Sequence, residues 1–163
     1  MNKIYVISDT HFGHSNILKF EAAYRPYYTI QDHDLDLVQR WNAVVNPKDT
    51  VWHLGDVYFG QKGHEVLAHL NGIKKLVMGN HDHYSIDVYR KYFSRISGVT
   101  SFGGAILSHV PVHPQQLHAR YKMNIHGHMH SKTMEDPRYV CVSAERTGLA
   151  PVLMESALNG LKV

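Results

Sequence analysis

Short runs of β-branched and aromatic residues recur along the chain, and most of them end in polar side chains. Lys3 to Ser8 (Lys-Ile-Tyr-Val-Ile-Ser) predicts a first strand. Thr50 to Leu54, Ile73 to Met78, Ala105 to Ser108, Met123 to Ile125, Tyr139 to Val142 and Val152 to Met154 predict further strands. Helical stretches lie between the early ones. Asn16 to Ala23 predicts a short helix ended by Arg25-Pro26, because the residue before a proline is pushed out of the α region. In Ile30 to Val45, Leu35, Val38, Trp41 and Val45 recur at steps of three and four, which predicts one apolar helix face. Thr29 is its expected N-cap, with Asp32 as capping-box partner, and Asn46-Pro47 breaks it. Glu65 to Leu70 and Ser85 to Phe93 read as two more helices, the latter anchored by Tyr89, Tyr92 and Phe93. Gly103-Gly104 predicts a turn, and Pro111 with Pro114 predicts a loop. Strands alternate with helices early and dominate late, so the expected architecture is a layered α/β domain with helices outside two sheets.

A chain of 163 residues suits a single domain over 1–163, and 44% apolar residues is ordinary for a globular protein. The net charge of +3 tolerates a phosphorylated ligand but forms no nucleic-acid stripe. Cys141 is the one cysteine, which excludes an internal disulfide and suits a reducing cytoplasm. The opening Met1 to Tyr5 has no signal-peptide character, and no apolar run approaches a membrane span. The composition stands out in one respect: fourteen dispersed histidines, and imidazole is the commonest metal-ligating side chain.

Those histidines change the reading of the strand ends. Asp9 and His11, Asp56, Asn80 and His81, His109, and His128 with His130 each follow an apolar run closely. The carboxyl ends of strands in open α/β sheets are where ligands bind. Asp9 and His11 are two apart, as are His128 and His130, so an extended chain would put each pair on one side, with Thr10 and Met129 turned away. Gly55, Gly79 and Gly127 allow close backbone approach beside them. Asp9, Asp56, Asn80, His11, His109, His128 and His130 make seven donors, too many for one tetrahedral zinc. They suit two divalent metals sharing a carboxylate, about 3.5–4 Å apart, an arrangement that clamps the oxygens of a displacement at phosphorus. A mixed nitrogen and oxygen set suits manganese foremost, then iron, zinc, cobalt or nickel, ahead of magnesium.

The order Asp9-Thr10-His11, Gly55-Asp56, Gly79-Asn80-His81-Asp82, His109 and Gly127-His128-Met129-His130 resembles that of the calcineurin-like metallophosphoesterase superfamily. The opening Asp9 to Ile17 and the run His53 to Asp56 are similar to a group of short bacterial and phage members. The resemblance implies a layered αββα sandwich of two mixed β-sheets flanked by helices. It implies that Asp9, His11 and His130 hold one metal, that Asn80, His109 and His128 hold the other, and that Asp56 bridges them. A hydroxide shared by the metals would attack phosphorus, His81 would act as general acid and Asp82 would orient His81. The implied activity is hydrolysis of a phosphomonoester or phosphodiester, with a small nucleotide-like diester favoured. The mild charge disfavours a long nucleic acid as substrate. Loss of ligands or of the general acid would mark a non-catalytic scaffold, and here all remain.

Other residues carry weaker expectations. His14 and His126 either touch the outer shell of the metals or a substrate phosphate, or are plain hydrogen-bonded side chains. Arg25, Arg120 and Arg146 are candidate phosphate clamps. Tyr24, Tyr27 and Tyr28 form either an aromatic shelf for a nucleobase or part of the core. His53, Trp41, Trp52 and Cys141 read as packed, and His33, His64, His69, His113 and His118 as surface residues.

Overall fold

The computed structural model describes residues 2–161, so residues 1, 162 and 163 lie outside it. The first sheet contains β1 (Ile4–Ile7), β2 (Thr50–His53), β3 (Ile73–Val77) and β4 (Phe93–Ser97), all parallel, with the two-residue β9 (Val152–Leu153) antiparallel along β1. Its order is β4-β3-β2-β1-β9. In the second sheet, β5 (Val99–Phe102) runs antiparallel to β6 (Ala105–Ser108), which is followed in parallel by β7 (Met123–His126) and β8 (Tyr139–Cys141). Both sheets are therefore mixed. The helices are α1 (Ile17–Phe20), α2 (Ile30–Val44), α3 (Ile86–Tyr89) and α4 (Met154–Leu158).

Side chains alternate across β1, and that alternation divides the core. Tyr5 and Ile7 pack with Leu37 and Trp41 of α2, while Val6 joins Trp52, Leu54 and Val77 against Leu107, Ile125 and Val140 of the second sheet. The far face of that sheet is covered by a loop around the 3-10 turn Pro114–Gln116, with Leu117 packed on Ile106 and Tyr139. The fold is thus the expected layered αββα sandwich, two mixed sheets flanked by helices. The backbones of the two sheets meet in a seam: Ser8 N–H donates to the Val142 carbonyl at 2.9 Å, and Ala144 N–H donates to the Ser8 carbonyl at 2.9 Å. This seam lies at the carboxyl ends of β1 and β8, so the polar strand ends of both sheets open into one cleft.

Thr29 caps α2 as expected, its hydroxyl accepting from Asp32 N–H at 3.1 Å, a contact typically worth about 1 kcal/mol. The buried face of α2, however, runs His33, Leu37, Trp41, and Leu35 is 59% exposed. The apolar pattern missed this because the stripe begins with a histidine. Buried His33, expected at the surface, has both ring nitrogens engaged, by Arg25 at 2.7 Å and Asp34 at 2.8 Å. Three further expectations need correction. Phe93 opens β4 and does not end a helix, since its parallel pairing with Lys74 outweighs the local helical pattern. The polar-rich β5 went unseen, and α4 begins where the last strand was expected to continue. Among the described residues, no helix is long and apolar enough to cross a membrane.

Candidate metal centre

The metal-ligand candidates gather at the seam, but by a route different from the extended one. Asp9, His11, Asp56, His128 and His130 all have positive φ, between 51° and 66°, and among the described residues they make up five of the eight non-glycine residues with positive φ. Left-handed backbone folds each Asp-x-His or His-x-His segment into a tight turn, which aims alternate side chains inward. Such conformations cost about 1–3 kcal/mol each and persist where the surrounding structure imposes them. Here the surroundings are backbone bonds between neighbouring strand ends of each sheet: Asp9 N–H to the Gly55 carbonyl at 2.9 Å and His11 N–H to the Asp56 carbonyl at 3.1 Å in the first, and Gly127 N–H to the His109 carbonyl at 2.9 Å in the second. Gly127 is required because a Cβ there would collide with Ser8 Oγ and Asp9 Oδ2.

Each carboxylate is held by one oxygen and leaves the other free. Asp9 Oδ2 accepts from His128 N–H at 2.9 Å and from the Ser143 hydroxyl at 2.8 Å. Asp56 Oδ1 accepts from His81 N–H at 2.9 Å. Asp56 Oδ2 then stands 3.7 Å from His11 Nε2 and 3.4 Å from His109 Nε2, between the two imidazoles. Asp9 Oδ1 lies 3.8 Å from both His11 Nε2 and His130 Nε2. On the other side, Asn80 Oδ1 lies 2.9 Å from His109 Nε2 and 3.0 Å from His128 Nδ1. Donors bound about 2.1 Å from one ion at right angles sit about 3 Å apart, so both clusters have a suitable scale.

The inner nitrogens are fixed by outer partners, as ligating histidines require. His109 Nδ1 lies 2.8 Å from the Leu54 carbonyl and His130 Nδ1 3.1 Å from Glu145 Oε1, contacts in which the Nδ1–H donates, so that Nε2 can offer its lone pair to a metal once its own proton is lost. His11 Nδ1 and His14 Nδ1 share a hydrogen bond at 3.0 Å. Buried Asp9 Oδ1 and His11 Nε2 have no protein partner among the described residues. Two unpartnered buried donors, a carboxylate oxygen and an imidazole nitrogen, facing the same space fit a divalent cation.

The charges agree with that fit. Burial would raise the Asp9 carboxyl, but His11, His109 and His130 around it hold it well below the usual carboxylate range. Burial would lower His109, but its bond to Asp56 and the charges of Asp9 and Asp56 push it up to about 9. A metal at His109 must displace that proton. Apparent metal affinity should therefore rise with pH from about 6 to about 9. Calorimetric titration at fixed ionic strength checks this, and a pH-independent affinity would remove His109 from the ligand set.

Several expected site residues do something else. Asp82 does not reach His81: its buried carboxylate accepts from Asp56 N–H at 2.8 Å, Val57 N–H at 3.0 Å, Gly79 N–H at 2.8 Å and the Tyr89 hydroxyl at 3.2 Å. It ties the Asp56 loop to the Asn80 loop, a positioning role that three backbone donors impose. Arg25 is fully buried and cannot clamp a phosphate, because its five N–H bonds are spent. They go to Glu145 twice, to the Asp9 and Thr10 carbonyls, and to His33. His126 is also fully buried, its Nδ1 bonded to the Gly127 carbonyl at 2.8 Å and its ring against Tyr139 on the far face of the second sheet, so it meets no substrate. His14 does stand at the site, bonded to His11 and stacked on Phe59 at 4.0 Å. His81 is exposed at the rim, its ring 6.3 Å from that of His11. Glu145 was missed. Its signal was a carboxylate shortly after the predicted strand Tyr139 to Val142, in the same relation to a strand as Asp9 or Asp56.

The five motif blocks thus lie in order along the chain and gather at one seam of a two-sheet sandwich. The chain belongs to the same family as the uncharacterized protein MJ1445 of Methanocaldococcus jannaschii, to which it is 33% identical over 151 residues, covering 86% of this chain and 76% of that one. It is also similar to the Gene 66 protein of Mycobacterium phage L5, at 29% identity over 166 residues, covering 80% and 79% of the two chains. Among solved structures, a protein of unknown function from Aquifex aeolicus, AQ665, superposes with a TM-score of 0.73 at 26% identity over 98% of this chain and 99% of that one. No family model matches the chain.

Proposed function

We propose that the protein hydrolyses a phosphate ester, with a small nucleotide-like diester as the favoured substrate, using two divalent metal ions with manganese first among them. The observation that carries this reading is the position of Asp56 Oδ2, 3.7 Å from His11 Nε2 on one side and 3.4 Å from His109 Nε2 on the other. Asp9, His11 and His130 would hold one ion, Asn80, His109 and His128 the second, and Asp56 both. When bound, such a pair activates water and neutralises charge at phosphorus. The chain's own part is to fix the donors. Glu145 and the Leu54 carbonyl set two imidazoles, and Asp82 sets the loops that carry Asp56 and Asn80. His81, pinned by its backbone at Asp56 and open at the rim, would deliver the proton to the leaving oxygen.

His81→Ala should keep its metals and lose about 10²–10⁴-fold in turnover of a diester with a poor leaving group. Turnover of a good leaving group, which needs little protonation, should fall far less. The assay compares alkyl and nitrophenyl diesters with manganese-reconstituted protein and a chelator control. Equal losses on both substrates, or no loss on the alkyl ester, would take the general-acid role away from His81.

A further inference from the structure

One surface feature lies beside the centre and has no part in holding it. Among the described residues, the exposed large aromatic side chains are Phe20, Tyr24 and Tyr28, all within nine residues of one another. The segment follows the first ligand turn directly. It is also tightly held. Tyr24 and Arg25 N–H both bond to the Glu21 carbonyl, at 2.9 and 2.8 Å, and the Tyr27 hydroxyl bonds to Asp36. Buried Arg25 anchors the same segment under Asp9 and Thr10. Exposed rings on a fixed backbone gain nothing for the fold, since their apolar faces remain in water.

Phe20 is the ring nearest the chemistry. It is 70% exposed and stands edge-on to His14, with centroids 6.2 Å apart. His14 in turn is bonded to His11, and Phe59 lies nearly parallel to both imidazoles, at 4.0 Å from His14 and 4.9 Å from His11. Phe59 and His14 are therefore occupied with each other and with the ligand, while most of the Phe20 ring is open. A flat apolar ring held open at the rim of a phosphate site matches a ligand that carries a phosphate at one end and a π-face at the other.

We propose that Phe20 is a stacking platform for the base of a nucleotide substrate. This rests on the phosphoesterase reading and narrows it to nucleotides, in preference to sugar or alkyl phosphates. The platform selects for a ring without reading which base it is, because every base has a π-face.

Binding, not turnover, tests it. Adenosine 5′-monophosphate and ribose 5-phosphate differ by the base alone, and each is titrated into manganese-loaded wild type, Phe20→Ala and Phe20→Trp. The wild type should prefer the base-bearing probe by about 5- to 150-fold, the range one base–aromatic stack covers. Phe20→Ala should lose that preference with its affinity for ribose 5-phosphate unchanged, and Phe20→Trp should retain it. The exposed position makes a folding defect in these variants an unsuitable explanation, and circular dichroism checks that directly. A wild type without preference for the base-bearing probe, or a Phe20→Ala variant that keeps it, overturns the proposal. The hydrolase reading fails separately, by absent turnover of chromogenic mono- and diesters.

Discussion

Asp56→Ala should fold but hold neither of the two proposed metal ions. The variant loses the Asp56 Oδ2 atom that stands between the two imidazole clusters, at 3.7 Å from His11 Nε2 and 3.4 Å from His109 Nε2. It also removes the acceptor of His81 N–H, which loosens the Asn80 loop on the second side. Losing a partner that merely orients a ligand typically costs about 10–100-fold in metal affinity or activity. Losing a ligand shared by two ions should cost well beyond that on both counts. Elemental analysis of manganese-reconstituted protein after dialysis reads the outcome directly. Two ions per chain in Asp56→Ala would show that this residue is not the shared ligand, whatever happens to turnover.

Arg25→Met destabilises the fold by about 3–5 kcal/mol, the usual consequence of removing one member of a buried ion pair. Both side chains of the Arg25–Glu145 pair are fully buried, 2.7 Å apart. Burial alone would raise the Glu145 carboxyl, but His130 and Arg25 hold it below the usual range, so without Arg25 a charge is left stranded in the core. The double variant Arg25→Met with Glu145→Met should regain much of the loss, because an apolar pair of similar volume is often neutral. It should bind metal more weakly than wild type, since His130 Nδ1 then has no acceptor. Urea unfolding of metal-free protein measures the first effect and metal titration the second. A cost near zero for Arg25→Met would contradict the buried-pair account.

These two residues also mark what sequence alone could and could not supply. Asp56 was legible because its kind of side chain, its position after an apolar run and the preceding glycine all point the same way. So were the order of β1, β2, β3, β6, β7 and β8, and the grouping of the strand ends at one edge. The backbone that performs the grouping was not legible. An extended Asp-x-His and the observed left-handed one place both side chains on one side, and nothing in the residue types separates them. Arg25 was misread because an arginine near a phosphate site has a ready role at the surface. Its four partners lie at residues 9, 10, 33 and 145, and sequence does not show that they converge. Asp82 failed in the same manner: adjacency to His81 suggested a pair, whereas two of its partners are the backbone N–H groups of Asp56 and Val57, in a loop 26 and 25 positions away. Strand β5, Val99–Phe102, is a polar edge strand whose pairing with β6 is set by the Gly103-Gly104 turn more than by any run of apolar residues.

The parallel strands give the molecule a working end and an idle end. The turns that lead into β3, β6 and β7, at Asn71-Gly72, at Gly103-Gly104 and at Lys122, lie at the end of their sheet opposite the Ser8–Val142 link. Gly104 has open space where a side chain would project. Chain added at Gly104 would project away from the donors, so a laboratory fusion has a place to grow that leaves the chemistry untouched.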